Sequence, residues 1–377
     1  MNIKSLLLGS AAALVAVSGA RAADAIVVAE PEPAEYVRIC DVYGAGYFYI
    51  PGTETCLRVG GYLRYDIGVG DLNGHTDVLD RKDDMRGNFD TNDTYYKRMR
   101  AQLQLDARSE TEYGTLRGYM AIDFNRFDDH RGGSGASIDH ALIQLGGLTI
   151  GYSDSLFESL TDSAGTVIND GYVNYTPGKS HQISYTFDGG NGFSATIGVE
   201  EGTGEFVLDS YVPHVVAGAS YTQGWGKIAG VIAYDSVYEK VAGKLRVDVN
   251  VNDALTLWVM GGYQDWDWQT AAYVNGGGIS GIDHNGGSYY GVWGGDWAVW
   301  GGGQYRFNEK TALDVQLSYD DLETFGAVVG LRHELVHGFV IRPEVSYASW
   351  KNYDAVGNKI GGKDDGWGGF LRFQRSF

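Results

Sequence analysis

From residue 57 to the C-terminus, apolar and polar side chains alternate at every second position in segment after segment. In residues 95–108, for example, Leu103 and Leu105 lie on one face, and Arg98 and Arg100 lie on the other. A helix would spread these charges around its circumference, whereas a strand places them in one row. The pattern therefore predicts an all-β fold. Sixteen segments show the pattern, at roughly 57–69, 95–108, 115–127, 138–146, 148–155, 180–188, 193–201, 213–223, 226–236, 240–250, 255–264, 296–307, 311–320, 324–335, 339–348 and 366–377.

The connections between these segments sort into two lengths. Short, Gly- or Asn-rich turns such as 189–192 and 308–310 alternate with longer, polar connections such as 156–179 and 265–295. Short turns at one end and long loops at the other are typical of an outer-membrane barrel, whereas a soluble β-sandwich has no reason to sort its loops in this way. The pattern predicts an antiparallel transmembrane β-barrel of sixteen strands.

Composition agrees with this fold class and narrows the function. The mean hydropathy of −0.22 argues against a bundle of membrane helices, but not against a barrel whose strands have one polar face. A formal net charge of −19 over 377 residues argues against a nucleic-acid partner, which would normally need a basic surface. Aromatic residues, among them Tyr65, Phe127 and Tyr347, cluster at the ends of the apolar faces, where a membrane–water interface would lie.

The first 22 residues have the features of a secretory signal. Lys4 provides the positive end, an apolar stretch follows, and Ala20-Arg21-Ala22 is an A-x-A cleavage site. A membrane anchor is the weaker reading, because the apolar stretch is short for a span of ~20 residues. We therefore expect a signal peptide at 1–22 and a single barrel domain at 23–377.

Two cysteines, Cys40 and Cys56, remain in the exported chain. In an oxidising compartment a pair without a third cysteine favours a disulfide. A two-cysteine metal site is the weaker alternative, since no histidine lies between or close to them.

Several segments resemble the alphaproteobacterial trimeric general-diffusion porins. The resemblance covers nearly the whole exported chain, including ADAIV at 23–27, EYVRICD at 35–41, GAGYFYIPGTETCLR at 44–58, GGNGFSA at 189–195 and RFQRSF at 372–377. It implies a homotrimer in the outer membrane of a Gram-negative bacterium, in contact with lipid and lipopolysaccharide, through which small hydrophilic solutes and ions diffuse passively. It also implies that the terminal Phe377 is the signal for assembly.

In porins of this kind the third long loop folds into the barrel and constricts the channel. The matching loop here is 156–179, in which Glu158, Asp162 and Asp170 would supply the acidic side of the constriction. We expect its apolar residues to anchor it against the inner wall: Leu156, Phe157, Leu160, Val167 and Ile168. The basic side would come from the arginines of the early strands: Arg58, Arg64, Arg98, Arg100 and Arg117. The alternative interpretation of each arginine is that it is a structural partner of Asp66, Asp106 or Asp123. The acidic exported chain and its loop carboxylates suggest weak cation preference.

Two other functions remain open at this point, an outer-membrane barrel enzyme and a surface or adhesin-type protein. The eight histidines come without an H-E-x-x-H or G-x-S-x-G motif, so no catalytic residue is assigned. No metal ligands and no cofactor are expected. A passive channel is the function that the residues favour most.

Overall fold

The computed structural model describes these residues: 38–87, 90–127, 134–267, 271–275, 278–283, 287–353 and 358–377. The predicted signal peptide lies outside them.

Within the described residues, sixteen antiparallel strands form one closed barrel. Each strand pairs with its neighbours in chain order, and the first pairs with both the second and the last, which closes the sheet. The strands are β1 (Cys56–Val69), β2 (Thr91–Thr111), β3 (Gly114–Phe127), β4 (Gly135–Leu145), β5 (Leu148–Asp154), β6 (Lys179–Asp188), β7 (Phe193–Glu200), β8 (His214–Gln223), β9 (Gly226–Asp235), β10 (Lys240–Asn250), β11 (Leu255–Gln264), β12 (Trp297–Asn308), β13 (Thr311–Asp320), β14 (Phe325–Val336), β15 (Phe339–Tyr353) and β16 (Lys359–Ser376).

All sixteen predicted strands are confirmed, most of them to within a few residues. The largest difference concerns the connection expected at 349–365. There β15 and β16 continue as a paired ribbon, in which Lys351 lies opposite Lys363. Both faces of this ribbon are polar, so its sequence lacks the alternation of apolar and polar residues that predicts a strand.

The remaining regular elements are short. Strands lie at Phe48–Tyr49, Gly74–Leu79, Ala271–Asn275 and Gly278–Asp283, and 3-10 turns lie at Asp41–Tyr43 and Gly204–Phe206. The α-helices are α1 (Gly70–Asn73), α2 (Arg81–Asp84) and α3 (Leu156–Ser159). Of the helices that the structure describes, none has the length and apolar character needed to cross a bilayer.

The two faces of the barrel wall differ as the alternation predicts. The outer surface is apolar, with Ile143 59% exposed and Val259 56% exposed. Inward-pointing side chains such as Gln102, Gln182 and Gln316 are polar and largely buried. The apolar face of the strands therefore coats the barrel where lipid would lie.

Aromatic residues form a continuous band on the outer face near the long-loop end of β11 to β16. Tyr263 lies opposite Trp297, whose ring is 6.0 Å from that of Tyr319. Farther along the band, the rings of Tyr347 and Trp367 are 4.8 Å apart. The predicted interfacial clusters are confirmed for this part of the wall.

Phe127 is an exception to that prediction. Its register partner is Arg98, so it points into the barrel, and its ring lies 6.5 Å from that of Tyr96. Its place at the end of an alternating segment predicts the apolar face, but its odd number places it with Arg117 and Asp123 on the polar face of β3.

Cys40 and Cys56 are joined by a disulfide, with their Cα atoms 6.0 Å apart. Both are almost fully buried beside Tyr47. The predicted disulfide is thereby confirmed, and the alternative of a two-cysteine metal site is not. The bridge attaches the segment before β1 to the barrel, and the Tyr43 hydroxyl donates a 2.7 Å hydrogen bond to Glu110 at the end of β2.

Candidate pore constriction

The loop between β5 and β6 turns into the barrel at its first residue. Ser155 Oγ donates to Glu200 Oε2 at 2.7 Å, and the Leu156 N–H donates to Glu200 Oε1 at 2.6 Å. Ser155 Oγ also accepts from the Phe157 N–H and so caps the one-turn helix α3. A buried carboxylate on β7 thus fixes the direction in which the loop leaves the wall.

Farther along, basic side chains of β9 and β10 hold the loop. Lys244 Nζ donates to the Tyr175 carbonyl at 2.9 Å, and Arg246 Nη1 donates to the Ser163 carbonyl at 2.5 Å. Both basic side chains are buried under the loop. Lys227 of β9 pairs with Asp162 at 2.8 Å.

The tip of the loop is bound to β15. Glu344 accepts three hydrogen bonds, from the Ile168 N–H at 2.6 Å, the Asn169 N–H at 2.9 Å and the Asn169 side-chain amide at 2.7 Å. The Tyr172 hydroxyl donates to Ser346 Oγ at 2.7 Å. Between these anchors, Gln316 of β13 donates to the Asp170 carbonyl at 2.8 Å.

The underside of the loop is hydrophobic. Phe157, Val173 and Tyr175 pack with Trp258 of β11 and Trp300 of β12 in one buried cluster. The indole N–H of Trp300 donates to the Val173 carbonyl at 2.9 Å. Of the apolar residues expected to anchor the loop, Leu156, Phe157 and Val167 are buried, and Leu160 and Ile168 are partly buried.

A second segment, at 287–295, packs beside α3. The Tyr290 hydroxyl donates to Glu200 Oε2 at 3.1 Å, and its ring lies 5.2 Å from that of Phe157. Trp293 joins the same cluster. Sequence reasoning treated this region only as part of a long loop.

These contacts distinguish two parts of the inner wall. We call β7 to β15, which bind the loop, the covered wall. We call β16 and β1 to β3 the open wall. No hydrogen bond or ion pair joins the described residues of the loop to any of the five arginines predicted for the basic side.

The three predicted acidic residues all lie on the loop, in different environments. Glu158 accepts from Thr176 Oγ1 at 2.5 Å, and Asp162 is ion-paired with Lys227. Asp170 accepts from the Tyr175 hydroxyl at 2.7 Å. Burial raises the pKa of Asp170 to about 6, although the Tyr175 hydrogen bond acts in the opposite direction.

On the open wall, buried aspartates organise four of the five predicted arginines. Three of the distances are 2.7 to 2.8 Å and the fourth, to Arg58, is 3.6 Å. The pairs are Arg98 with Asp66, Arg100 with Asp123, and Arg58 and Arg117 with Asp106. The structural reading of these arginines is therefore correct, and it does not exclude a role in the pore.

Positive charge nevertheless exceeds negative charge among these pairs. Asp66 also binds Arg372, and Asp106 also binds Arg108, so two aspartates serve five arginines.

Arg64 is the fifth predicted arginine and has a different environment. It donates to the neutral Gln374 at 2.9 Å and lies over the Tyr62 ring at 4.4 Å. Within the described residues it has no carboxylate partner. The open wall is thus net positive.

Sequence reasoning missed the residues that hold the loop, namely Glu200, Lys227, Lys244, Arg246 and Glu344. Their strands were recognised, and their inward orientation follows from the alternation. Nothing in the local pattern separates a side chain that binds the loop from one that faces water, because both are polar residues on the same face.

Comparisons with known proteins agree with this architecture. A family model described as "Porin subfamily" matches residues 24–369. Porin Omp2b of Brucella suis biovar 1 (strain 1330) is 47% identical over 399 residues, covering 100% of both chains. Porin Omp2b of Brucella melitensis biotype 1 (strain ATCC 23456 / CCUG 17765 / NCTC 10094 / 16M) is 46% identical, also over 100% of both chains.

Two solved structures share the fold at low sequence identity. The outer membrane channel DcaP of Acinetobacter baumannii has a TM-score of 0.59 and 16% identity, covering 87% of this chain and 99% of that one. A Rh. blastica porin mutant has a TM-score of 0.56 and 13% identity, covering 85% of this chain and 100% of that one.

Proposed function

This chain belongs to the porin subfamily, and from that premise we propose that loop 156–179 narrows its channel to a constriction between the loop and the open wall. Family membership makes the protein an outer-membrane channel of a Gram-negative bacterium, rather than an enzyme or an adhesin built on a similar barrel. A sixteen-stranded barrel is wide enough to enclose water, so its narrowest section sets the flow.

The observation that carries the proposal is the one-sided attachment of the loop. Its anchors Glu200, Arg246 and Glu344 belong to the covered wall, which leaves the open wall free to line the water path. The net positive open wall then faces a loop that carries Glu158, Asp162 and Asp170.

Charges of opposite sign across a narrow water path create a transverse field. Such a field orients polar solutes and disfavours apolar ones, which would disturb the ordered water between the charges. The proposed cargo is therefore small hydrophilic solutes and ions. Carboxylates at the long-loop mouth, such as Asp80 and Asp90, favour weak cation preference.

The test neutralises the acidic side as a set. The Glu158→Gln, Asp162→Asn, Asp170→Asn triple variant is compared with the wild type in planar bilayers. We expect a reversal potential in a salt gradient that moves toward anions, together with an altered single-channel conductance. If both quantities stay at their wild-type values, loop 156–179 does not form the constriction.

We propose further that three copies assemble, with the outer face of β2 to β5 as the contact. That face is mostly aliphatic, with Leu103, Ile143 and Ile150 exposed in the single chain, while the aromatic band described above lies on β11 to β16. Lipid and lipopolysaccharide would then surround the aromatic part of the wall. Native mass spectrometry in detergent tests the proposed trimer. A trimeric wild type and a monomeric Ile143→Lys variant would support it, and a monomeric wild type would contradict it.

The export and assembly signals are part of the same proposal. Residues 1–22 would be removed, which leaves the barrel domain 23–377. Phe377 would be the assembly signal: its N–H donates to the Gly61 carbonyl at 3.1 Å and its carbonyl accepts from the Gly61 N–H at 3.1 Å, so the last residue completes the closure of β16 on β1. A Phe377→Ala variant should reach the outer membrane in reduced amount, measured in membrane fractions against a Phe307→Ala control.

A further inference from the structure

A cavity of about 800 Å³ lies under the tip of loop 156–179, on the side of the short turns. Its walls come from the ends of β12, β13, β14 and β15 that adjoin the turns, and Thr166 of the loop lines it as well. Three arginines line it: Arg306, Arg332 and Arg342. None of them belongs to the basic row of the open wall.

The strand register explains how two of these side chains reach the same space. Arg306 of β12 and Arg332 of β14 both lie opposite Ala312 of β13. Neighbouring strands are ~4.8 Å apart, so two intervals separate the arginine backbones by roughly 10 Å. The methyl group of Ala312 between them leaves room for both guanidinium groups to converge.

The hydrogen-bonding capacity of these arginines is mostly unused. Arg306 donates to the neutral Gln304 at 3.1 Å. The side chain of Arg332 makes no hydrogen bond or ion pair with any residue in the part of the chain that the structure describes. Arg342 donates to the Thr166 carbonyl and lies 3.6 Å from Asp314.

Among the acidic residues of the cavity, Asp314 pairs with Arg342 at 3.6 Å and so offsets one of the three charges. Asp314 is the buried one, and its Oδ1 already accepts from Gln304 at 2.8 Å and from Thr166. Glu309 and Asp253 lie at the rim, on the exposed turns. Beside the Arg342–Asp314 pair, the cavity therefore has two guanidinium groups, those of Arg306 and Arg332, that no carboxylate of the described residues pairs with.

We propose that this cavity binds the oxyanion of a small solute, a carboxylate or a phosphate, between the short-turn mouth and the constriction. A guanidinium group offers a planar pair of N–H donors that matches two oxygens of such a group. Arg306 and Arg332 line the cavity and have no ion-pair partner among the described residues, so they are well placed to bind it, and Thr166 places the site next to the loop. The inference goes beyond the proposed constriction, because it concerns a separate site with its own ligand.

The experiment records single channels in potassium chloride while inorganic phosphate, and in a separate series succinate, is added first to one side and then to the other. A site on one side of the constriction is reached more easily from that side. We expect saturable interruptions of the current that are more frequent when the anion is added to one side than to the other. Interruptions by phosphate would indicate a phosphate site, and interruptions by succinate would indicate a carboxylate site. No interruption from either side with either anion would overturn the proposal.

Two variants identify the residues. In the Arg306→Gln, Arg332→Gln double variant we expect the concentration for half-maximal block to rise roughly tenfold or more, as loss of charge-assisted hydrogen bonds implies. The control is Arg375→Gln, since Arg375 lies at the same end of the barrel but bonds to the His337 carbonyl on the outer side. An unchanged block in the double variant, or an equal rise in the control, would overturn the proposal. Normal conductance in chloride alone shows in each case that the channel itself is intact.

Discussion

The covered wall and the open wall are built from the same alternating strands, yet their inward charges have different roles. On the covered wall, Arg246 has only 6% of its side chain exposed, because the loop lies over it. On the open wall, Arg100 keeps 22% exposed beside Asp123. The difference between these two arginines shows that the loop determines whether an inward arginine is covered or remains partly exposed.

The largest effect should come from removing the anchor at the loop tip. In Glu344→Ala, the two backbone N–H groups of Ile168 and Asn169 lose their acceptor, which costs about 1–3 kcal/mol for buried donors. We expect a lower unfolding temperature, and a larger, noisier single-channel current because the tip moves away from β15. Glu344→Gln is the control, since its carbonyl oxygen still accepts. A Glu344→Ala variant with the current and noise of the wild type would contradict the role of Glu344 in holding the loop on the covered wall.

The next effect concerns Arg246, the covered-wall arginine. Its guanidinium donates to the Ser163 carbonyl, pairs with Asp248 at 2.7 Å and lies 4.6 Å from the Trp258 ring. Arg246→Gln should reduce the free energy of unfolding by about 1–2 kcal/mol, because a buried charge-assisted hydrogen bond is lost. Denaturant unfolding measures this. A loss no greater than that of the exposed-site variant Arg375→Gln would contradict the assigned role.

The corresponding change on the open wall, Arg64→Gln, should change ion selectivity and leave stability nearly unaffected. Arg64→Gln removes a charge that has no carboxylate partner among the described residues, so we expect a stability change within about 0.5 kcal/mol. The reversal potential in a salt gradient should move toward cations. If Arg64→Gln destabilises the barrel as much as Arg246→Gln does, the distinction between the two walls is wrong.

The smallest effect depends on pH. The pKa of Asp170 is raised to about 6 by burial, so its ionised form destabilises the folded state. Stability linked to this group is fully present below the unfolded pKa of ~3.9 and is lost as the pH rises through about 6. Asp170→Asn should therefore raise the unfolding temperature at pH 8 and leave it unchanged at pH 4. An equal change at both pH values would contradict this.

Alternation was sufficient to predict the sixteen strands, because every second residue had to suit either lipid or a polar interior. It failed at the ribbon of β15 and β16 and at Phe127, where the polarity of a face no longer follows that rule. The inward path of loop 156–179 came from the family resemblance, with Leu156 and Phe157 as correct anchors. Its polar anchors were not predictable, since Glu200 and Glu344 form contacts that exist only once distant strands have closed the barrel.

Chemical modification of single cysteines placed on the two walls tests the central claim most directly. Cys40 and Cys56 are joined in a disulfide, so an introduced cysteine is the one free thiol of the described chain. A water-soluble, charged thiol reagent is applied to open channels of R100C and A242C while the current is recorded. Ala242 of β10 is buried in the same cluster as Phe157 of the loop and makes no polar contact that holds the loop. We predict that R100C reacts quickly with a stepwise fall in current, and that A242C reacts slower by on the order of tenfold or more, because reaction there requires the loop to open. Equal rates at the two positions would show that the loop does not cover β10 and would contradict the distinction between the covered wall and the open wall.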